Sequence, residues 1–108
     1  MERHMLNKTP SPLLKGLSAK AAAVGDILKE LANEKRLLIL CGLLEKGEAS
    51  VAELSEFADL GQSAMSQHLA RLRASNMVKF RREGAVIYYA VADRRIGTLM
   101  KTLKNLYC

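Results

Sequence analysis

The sequence predicts a mainly α protein, with four helices, then a two-stranded hairpin, then one last helix. Three observations carry this reading. Apolar residues recur at spacings of three and four through four segments before position 75. The period shortens to two where Val78 and Phe80 alternate with Lys79 and Arg81, and Val86 to Val91 is rich in β-branched and aromatic residues. Helical spacing then returns through Ile96, Leu99, Met100, Leu103 and Leu106/Tyr107.

The first helix is expected from Leu17 to Leu31, with Leu17, Ala21, Val24, Leu28 and Leu31 on one stripe and Gly25 weakening it slightly. Asn33 caps the second, Glu34 to Glu45, whose buried stripe is read as Leu37, Leu40, Cys41 and Leu44. Lys46-Gly47 ends it. Ser50-Val51-Ala52-Glu53 has the capping-box spacing and opens a short third helix with Val51, Leu54 and Ala58 inward. Asp59-Leu60-Gly61-Gln62 makes a turn in which Gly61 is expected at positive φ. Ser63 is expected to cap a fourth helix to Ser75, buried through Met65, Leu69 and Leu72 and stopped at Asn76. Arg82-Glu83-Gly84-Ala85 is read as the hairpin turn.

At 108 residues the chain makes one domain, and a 49% hydrophobic content is that of a globular protein. Pro10, Ser11 and Pro12 mark residues 1–12 as a flexible arm ahead of a domain at 13–108. No apolar run approaches the ~18–20 residues of a membrane span. The first dozen residues lack the apolar core of a secretory signal, so a cytoplasmic location is expected. Cys41 and Cys108 are too few for a disulfide-built fold and should rest as thiols in a reducing cytosol.

Charge is distributed unevenly. Residues 1–60 hold eight Lys/Arg and nine Asp/Glu, whereas residues 61–108 hold nine and two. The net +6 therefore belongs to the second half, which suits a polyanionic partner. Two short helices joined by a tight turn and followed by a basic hairpin form a winged helix-turn-helix, in the order α-α-α-α-β-β-α. Such a unit places its second short helix in the major groove of double-stranded DNA. Gln62, Ser63, Ser66 and Gln67 supply small polar groups at that helix's N-terminal end, where Gln pairs with adenine and Ser bonds bases or phosphates. His68 is a further candidate contact. Arg71 and Arg73 are expected on the sugar-phosphate backbone, and Arg81 and Arg82 at an adjacent minor groove or its phosphates. The first and last helices carry broad apolar stripes that a chain this short cannot cover. They are expected to pair two copies into a homodimer reading a near-palindromic operator, half-sites ~34 Å apart.

Four segments resemble the ArsR/SmtB family of winged-helix repressors. They are Leu31-Ala32-Asn33-Glu34-Lys35-Arg36-Leu37, Ser50-Val51-Ala52-Glu53-Leu54, the run from Gln62 through Ser66-Gln67-His68-Leu69 to Arg73, and Ile87-Tyr88-Tyr89. The resemblance spans about residues 17–108 and implies dimeric repression relieved by an inducer, often a metal. The metal-sensing branches are not matched. Glu53-Leu54-Ser55-Glu56-Phe57 has no Cys-x-Cys, and the last helix has no His, so no metal site and no cofactor are expected.

Ile39-Leu40-Cys41 and Leu106-Tyr107-Cys108 resemble the BigR/SqrR/HlyU branch, whose two cysteines sense reactive sulfur species. That resemblance implies Cys41 and Cys108 as sensor thiols, with a persulfide as inducer. A sulfur bridge between them would displace the second helix against the last and release DNA. The readings kept beside it are activation by displacing a silencer, a metal-responsive repressor, and a non-specific redox-dependent interaction module. No Ser/His/Asp arrangement or nucleotide loop argues for an enzyme.

Overall fold

The computed structural model describes residues 11–108. The elements run α1 (Pro12–Ser18), α2 (Ala21–Leu31), α3 (Glu34–Lys46), β1 (Ala49–Ser50), α4 (Val51–Ala58), α5 (Gln62–Ala74), β2 (Val78–Glu83), β3 (Val86–Val91) and α6 (Arg94–Tyr107). This is the winged helix-turn-helix expected, with two additions. The helix expected over 17–31 is two helices, broken at Ala19 and Lys20, where the Lys20 N–H turns back to the Leu17 carbonyl at 2.8 Å. Ser11 caps α1 and Pro12 occupies its first turn, so the last two residues of the expected arm belong to the start of a helix. The rest of that arm lies outside the described residues. The second addition is β1, which pairs with β3 at Ala49↔Tyr89 and Ser50↔Tyr88.

The sheet is antiparallel in the order β1-β3-β2, with Val78↔Val91 at the base of the hairpin and Glu83↔Val86 at its tip. The hairpin closes through Gly84-Ala85 alone, with Gly84 at φ 62° as a two-residue turn demands. Arg82 and Glu83 are therefore strand residues rather than turn residues.

Local signals set most helix ends. Asn33 accepts the Arg36 N–H, and Ser50 and Glu53 form the reciprocal capping box. Gly47 ends α3 at φ 85° and Asn76 follows α5 at φ 59°. Two expectations about the tight turn are corrected. Asp59, not Gly61, takes the left-handed conformation, which a short polar side chain tolerates. Gly61, not Ser63, is the N-cap of α5, and Ser63 sits one residue inside the first turn.

α3 runs through the middle of the molecule, against α2, α4, α5 and β3. Ile39, Leu40 and Leu43 from α3 meet Leu54 and Ala58 from α4, Met65, Leu69 and Leu72 from α5, and Met77, Val78, Ile96 and Met100. The stripe expected to bury Leu37, Leu40, Cys41 and Leu44 together is divided. Leu40 is in the core, Leu37 is half-buried, and Cys41 and Leu44 are exposed on a second face. Leu13, Leu14 and Leu17 of α1, Leu28 of α2, and Leu106 and Tyr107 of α6 are also exposed. The radius of gyration is 17.3 Å, against ~13 Å for a compact chain of this length.

Candidate DNA interface and thiol groove

α5 keeps Met65, Leu69 and Leu72 against the core and so turns the opposite face outward. Gln62, Ser63, Ser66 and Gln67 are all exposed on that face. With Gly61 as N-cap, no side chain covers the start of the helix, and its first-turn N–H groups point outward without a side-chain acceptor. Such a helix start favours an anion, and a phosphate is the anion a DNA groove offers.

The basic residues fall into two groups. Arg71 donates from Nε to Glu30 Oε1 at 3.0 Å and from a terminal nitrogen to Oε2 at 3.1 Å, which ties α5 to α2. Arg81 donates to both oxygens of Glu48, beside β1, and at 2.7 Å to Glu83, with its guanidinium over the Tyr88 ring. These arginines hold the Glu30 and Glu48 carboxyls below the usual carboxylate range, chiefly through the hydrogen bonds themselves. Arg73 instead lies over the Phe80 ring, 4.2 Å from its centroid. Arg82 alternates to the same side of β2 as Phe80 and is exposed. Among the described residues neither Arg73 nor Arg82 has a carboxylate partner.

His68 faces inward. Its Nδ1 accepts from Arg36 at 3.2 Å, since a guanidinium can only donate. Burial first, then the charges of Arg36, Arg71 and Lys35, push its pKa down and favour the neutral ring. Arg36 is itself buried, with Nε donating to the Glu30 carbonyl at 2.6 Å. No local pattern in the sequence marks Arg36, Glu30 or Glu48 as site residues. Their partners lie up to 41 positions away, and no local pattern joins them.

The second exposed face of α3 looks across a groove to α6. Leu37, Cys41 and Leu44 line one side, and Met100, Leu103 and Cys108 line the other. Both cysteines are free thiols. Burial, the nearby Cys108 and Glu45 all push the Cys41 thiol pKa up. Cys41 is therefore not core packing. Among the described residues no three His, Cys, Asp or Glu side chains are grouped to hold a metal ion, and no helix is long and apolar enough to cross a membrane.

A helix-turn-helix with an exposed polar face on its second helix, followed by a basic two-stranded wing, defines a winged-helix DNA-binding protein of the transcription-regulator class. Residues 33–79 match the profile of the bacterial regulatory protein, arsR family. The chain is 45% identical to the transcriptional activator HlyU of Vibrio cholerae over 84% of its own length and 81% of that protein's. The chain belongs to the ArsR family. The structure of reduced HlyU from Vibrio cholerae superposes with a TM-score of 0.79 at 41% identity, covering 88% of this chain and 99% of that one. The transcriptional repressor BigR from Xylella fastidiosa superposes with a TM-score of 0.83 at 34% identity, covering 87% and 95%.

Proposed function

We propose that the protein is a dithiol-switched repressor that leaves its operator when persulfide sulfur bridges Cys41 and Cys108. The observation that carries this reading is that both thiols line one groove between α3 and α6. α3 is the central core helix. A link from it to α6 therefore bears on the placement of α5, which packs against it. The operator is read by Gln62, Ser63, Ser66 and Gln67 at the start of α5, with basic side chains of α5 and the wing on the phosphates. The exposed leucines of α1 and α2, with Leu106 and Tyr107 of α6, are covered by a second copy, which gives a homodimer and a near-palindromic site in a reducing cytosol.

The persulfide is itself the oxidant, its outer sulfur accepting the electrons that the two thiols give up. The Cys41 thiolate attacks the outer sulfur of a persulfide RSSH, giving Cys41–S–SH and releasing the thiolate RS⁻. A second RSSH converts Cys108 in the same way. The terminal sulfur of Cys108–S–S⁻ then attacks Sγ of Cys41, breaks its bond to the outer sulfur and expels HS⁻, which leaves the three-sulfur bridge Cys108 Sγ–S–Sγ Cys41. A plain disulfide needs Cα atoms within ~7 Å, and inserted sulfur relaxes that limit. Release requires only that bridging favour one arrangement of the helices, at a coupling of ~1–3 kcal/mol.

The test compares operator affinity and intact mass of wild type and Cys41→Ser, before and after glutathione persulfide. Wild type should lose affinity about 5- to 150-fold and gain bridging sulfur, while Cys41→Ser stays bound. Unchanged affinity of the bridged wild type would sink the switch. The HlyU relative is named an activator, and release or binding at a promoter that carries a silencer would serve that outcome through the same chemistry.

A further inference from the structure

Arg71 sits on α5 where a phosphate contact is expected, yet its guanidinium already holds the Glu30 carboxylate through two of its five N–H groups. We infer that Arg71 is a positioning residue, which brackets α5 to the end of α2 through Glu30 and leaves phosphate contact to other arginines.

Three observations carry this. The pair is a two-pronged guanidinium–carboxylate contact, at 3.0 and 3.1 Å, the geometry in which arginine holds a carboxylate best. The Glu30 side chain is 15% exposed and the Arg71 side chain 55%, so the carboxylate end of the pair is held against the protein while the guanidinium end stays open to solvent. The pair is also backed by a second rung. Arg36, 7% exposed, donates to the Glu30 carbonyl and to the His68 ring. His68 and Arg71 are three residues apart on α5, so both rungs fall on one flank of the helix. The last turn of α2 thus grips α5 directly through Arg71 and indirectly through Arg36 and His68.

Electrostatics argues against exchange of Arg71 onto DNA. Moving the guanidinium to a phosphate would leave Glu30 with Arg36 at 3.9 Å and the more distant Lys29 as its remaining cations. The orphaned carboxylate would face the same polyanion that took its arginine. Arg73, two positions on, carries no such carboxylate among the described residues and leans on Phe80 toward the wing. The two arginines, so alike in sequence, face different tasks.

The inference rests on operator binding by the reduced protein and not on the thiol reading. The experiment measures operator affinity against salt concentration for wild type, Arg71→Gln, Arg71→Lys and Glu30→Gln, with circular dichroism of each free protein. A bracket predicts that Arg71→Gln and Glu30→Gln each weaken binding roughly tenfold with the salt slope unchanged. Arg71→Lys keeps the charge but loses the fork, and should lie between them and wild type. The charge exchange Glu30→Arg with Arg71→Glu should recover most of the affinity that Arg71→Glu alone loses. The inference is overturned if Arg71→Gln flattens the salt slope by about one unit while Arg71→Lys binds as wild type. It is equally overturned if Glu30→Gln tightens binding, as releasing a phosphate-seeking arginine would. Should Glu30→Gln fail to fold, Arg71→Lys against Arg71→Gln decides the matter alone.

Discussion

The two apolar faces of α3 carry the same kinds of residue and meet different surroundings. Ile39, Leu40 and Leu43 are wholly buried among α4, α5 and α6, whereas Leu37, Cys41 and Leu44, within a turn of them, border an open groove. Apolar spacing marks both faces and does not rank them. What separates them is the arrival of α4 and α5 from later in the chain, which closes one face and leaves the other half-covered. The closed face supplies stability. The open face is where a change of covalent state can be made without first unfolding the core.

The largest effects should break this contrast if it is wrong. Leu40→Ala leaves a cavity on the closed face and should lower the unfolding free energy by about 2–5 kcal/mol in a denaturant titration. Leu44→Ala, on the open face, should lower it by about 1 kcal/mol or less. Equal losses would mean that the groove is as structural as the core. A smaller effect sharpens the boundary between the faces. A Cβ on Gly42 would stand 2.5 Å from the Phe57 ring, so Gly42→Ala must push that ring off α3. Overpacking of this kind costs about 1–3 kcal/mol and a better helix former returns up to about 1, so a net loss near 1 kcal/mol is expected on thermal melting. A gain in melting temperature would show that Phe57 yields freely.

Much of this architecture was legible because its signals are local. Asn33, the Ser50/Glu53 box, Gly47, Asn76 and Gly84 each act within a few residues of themselves, and each appears where the sequence put it. The exposed polar face of α5 followed from Met65, Leu69 and Leu72, which claim the other side. What escaped is what depends on distant partners. β1 is a strand only because Tyr88 and Tyr89 pair with it, and two residues carry no period of their own. The break between α1 and α2 interrupts an apolar spacing that runs on unbroken from Leu17 to Leu31, and no proline or glycine stands at Ala19 or Lys20. Arg36 lies inside a helical pattern that any solvated arginine would fit, and its burial follows from Glu30 and His68 meeting it there.

The smallest effects concern pH, and they divide the two faces of α3 by sign. His68 contacts Arg36 at the closed side, and its pKa is depressed below the ordinary 6.5, first by burial and then by Arg36, Arg71 and Lys35. Between its folded value and 6.5 the unfolded chain binds more protons, so stability is complete above about pH 6.5 and falls as pH drops through that window. His68→Gln should remove this acid-side slope while leaving the losses at lower pH, where Glu30, Glu48 and Asp93 take up protons. Cys41 on the open side behaves in reverse. Its pKa is raised above the ordinary 9.0, so the folded form binds more protons above that pH and stability falls as pH rises further. Cys41→Ser should abolish that alkaline slope and leave the acid one intact. Melting temperatures of wild type and both variants across pH 5–10 check the two slopes together. If one substitution altered both, the closed and open faces of α3 would be a single coupled unit, and the division between core and groove would not hold.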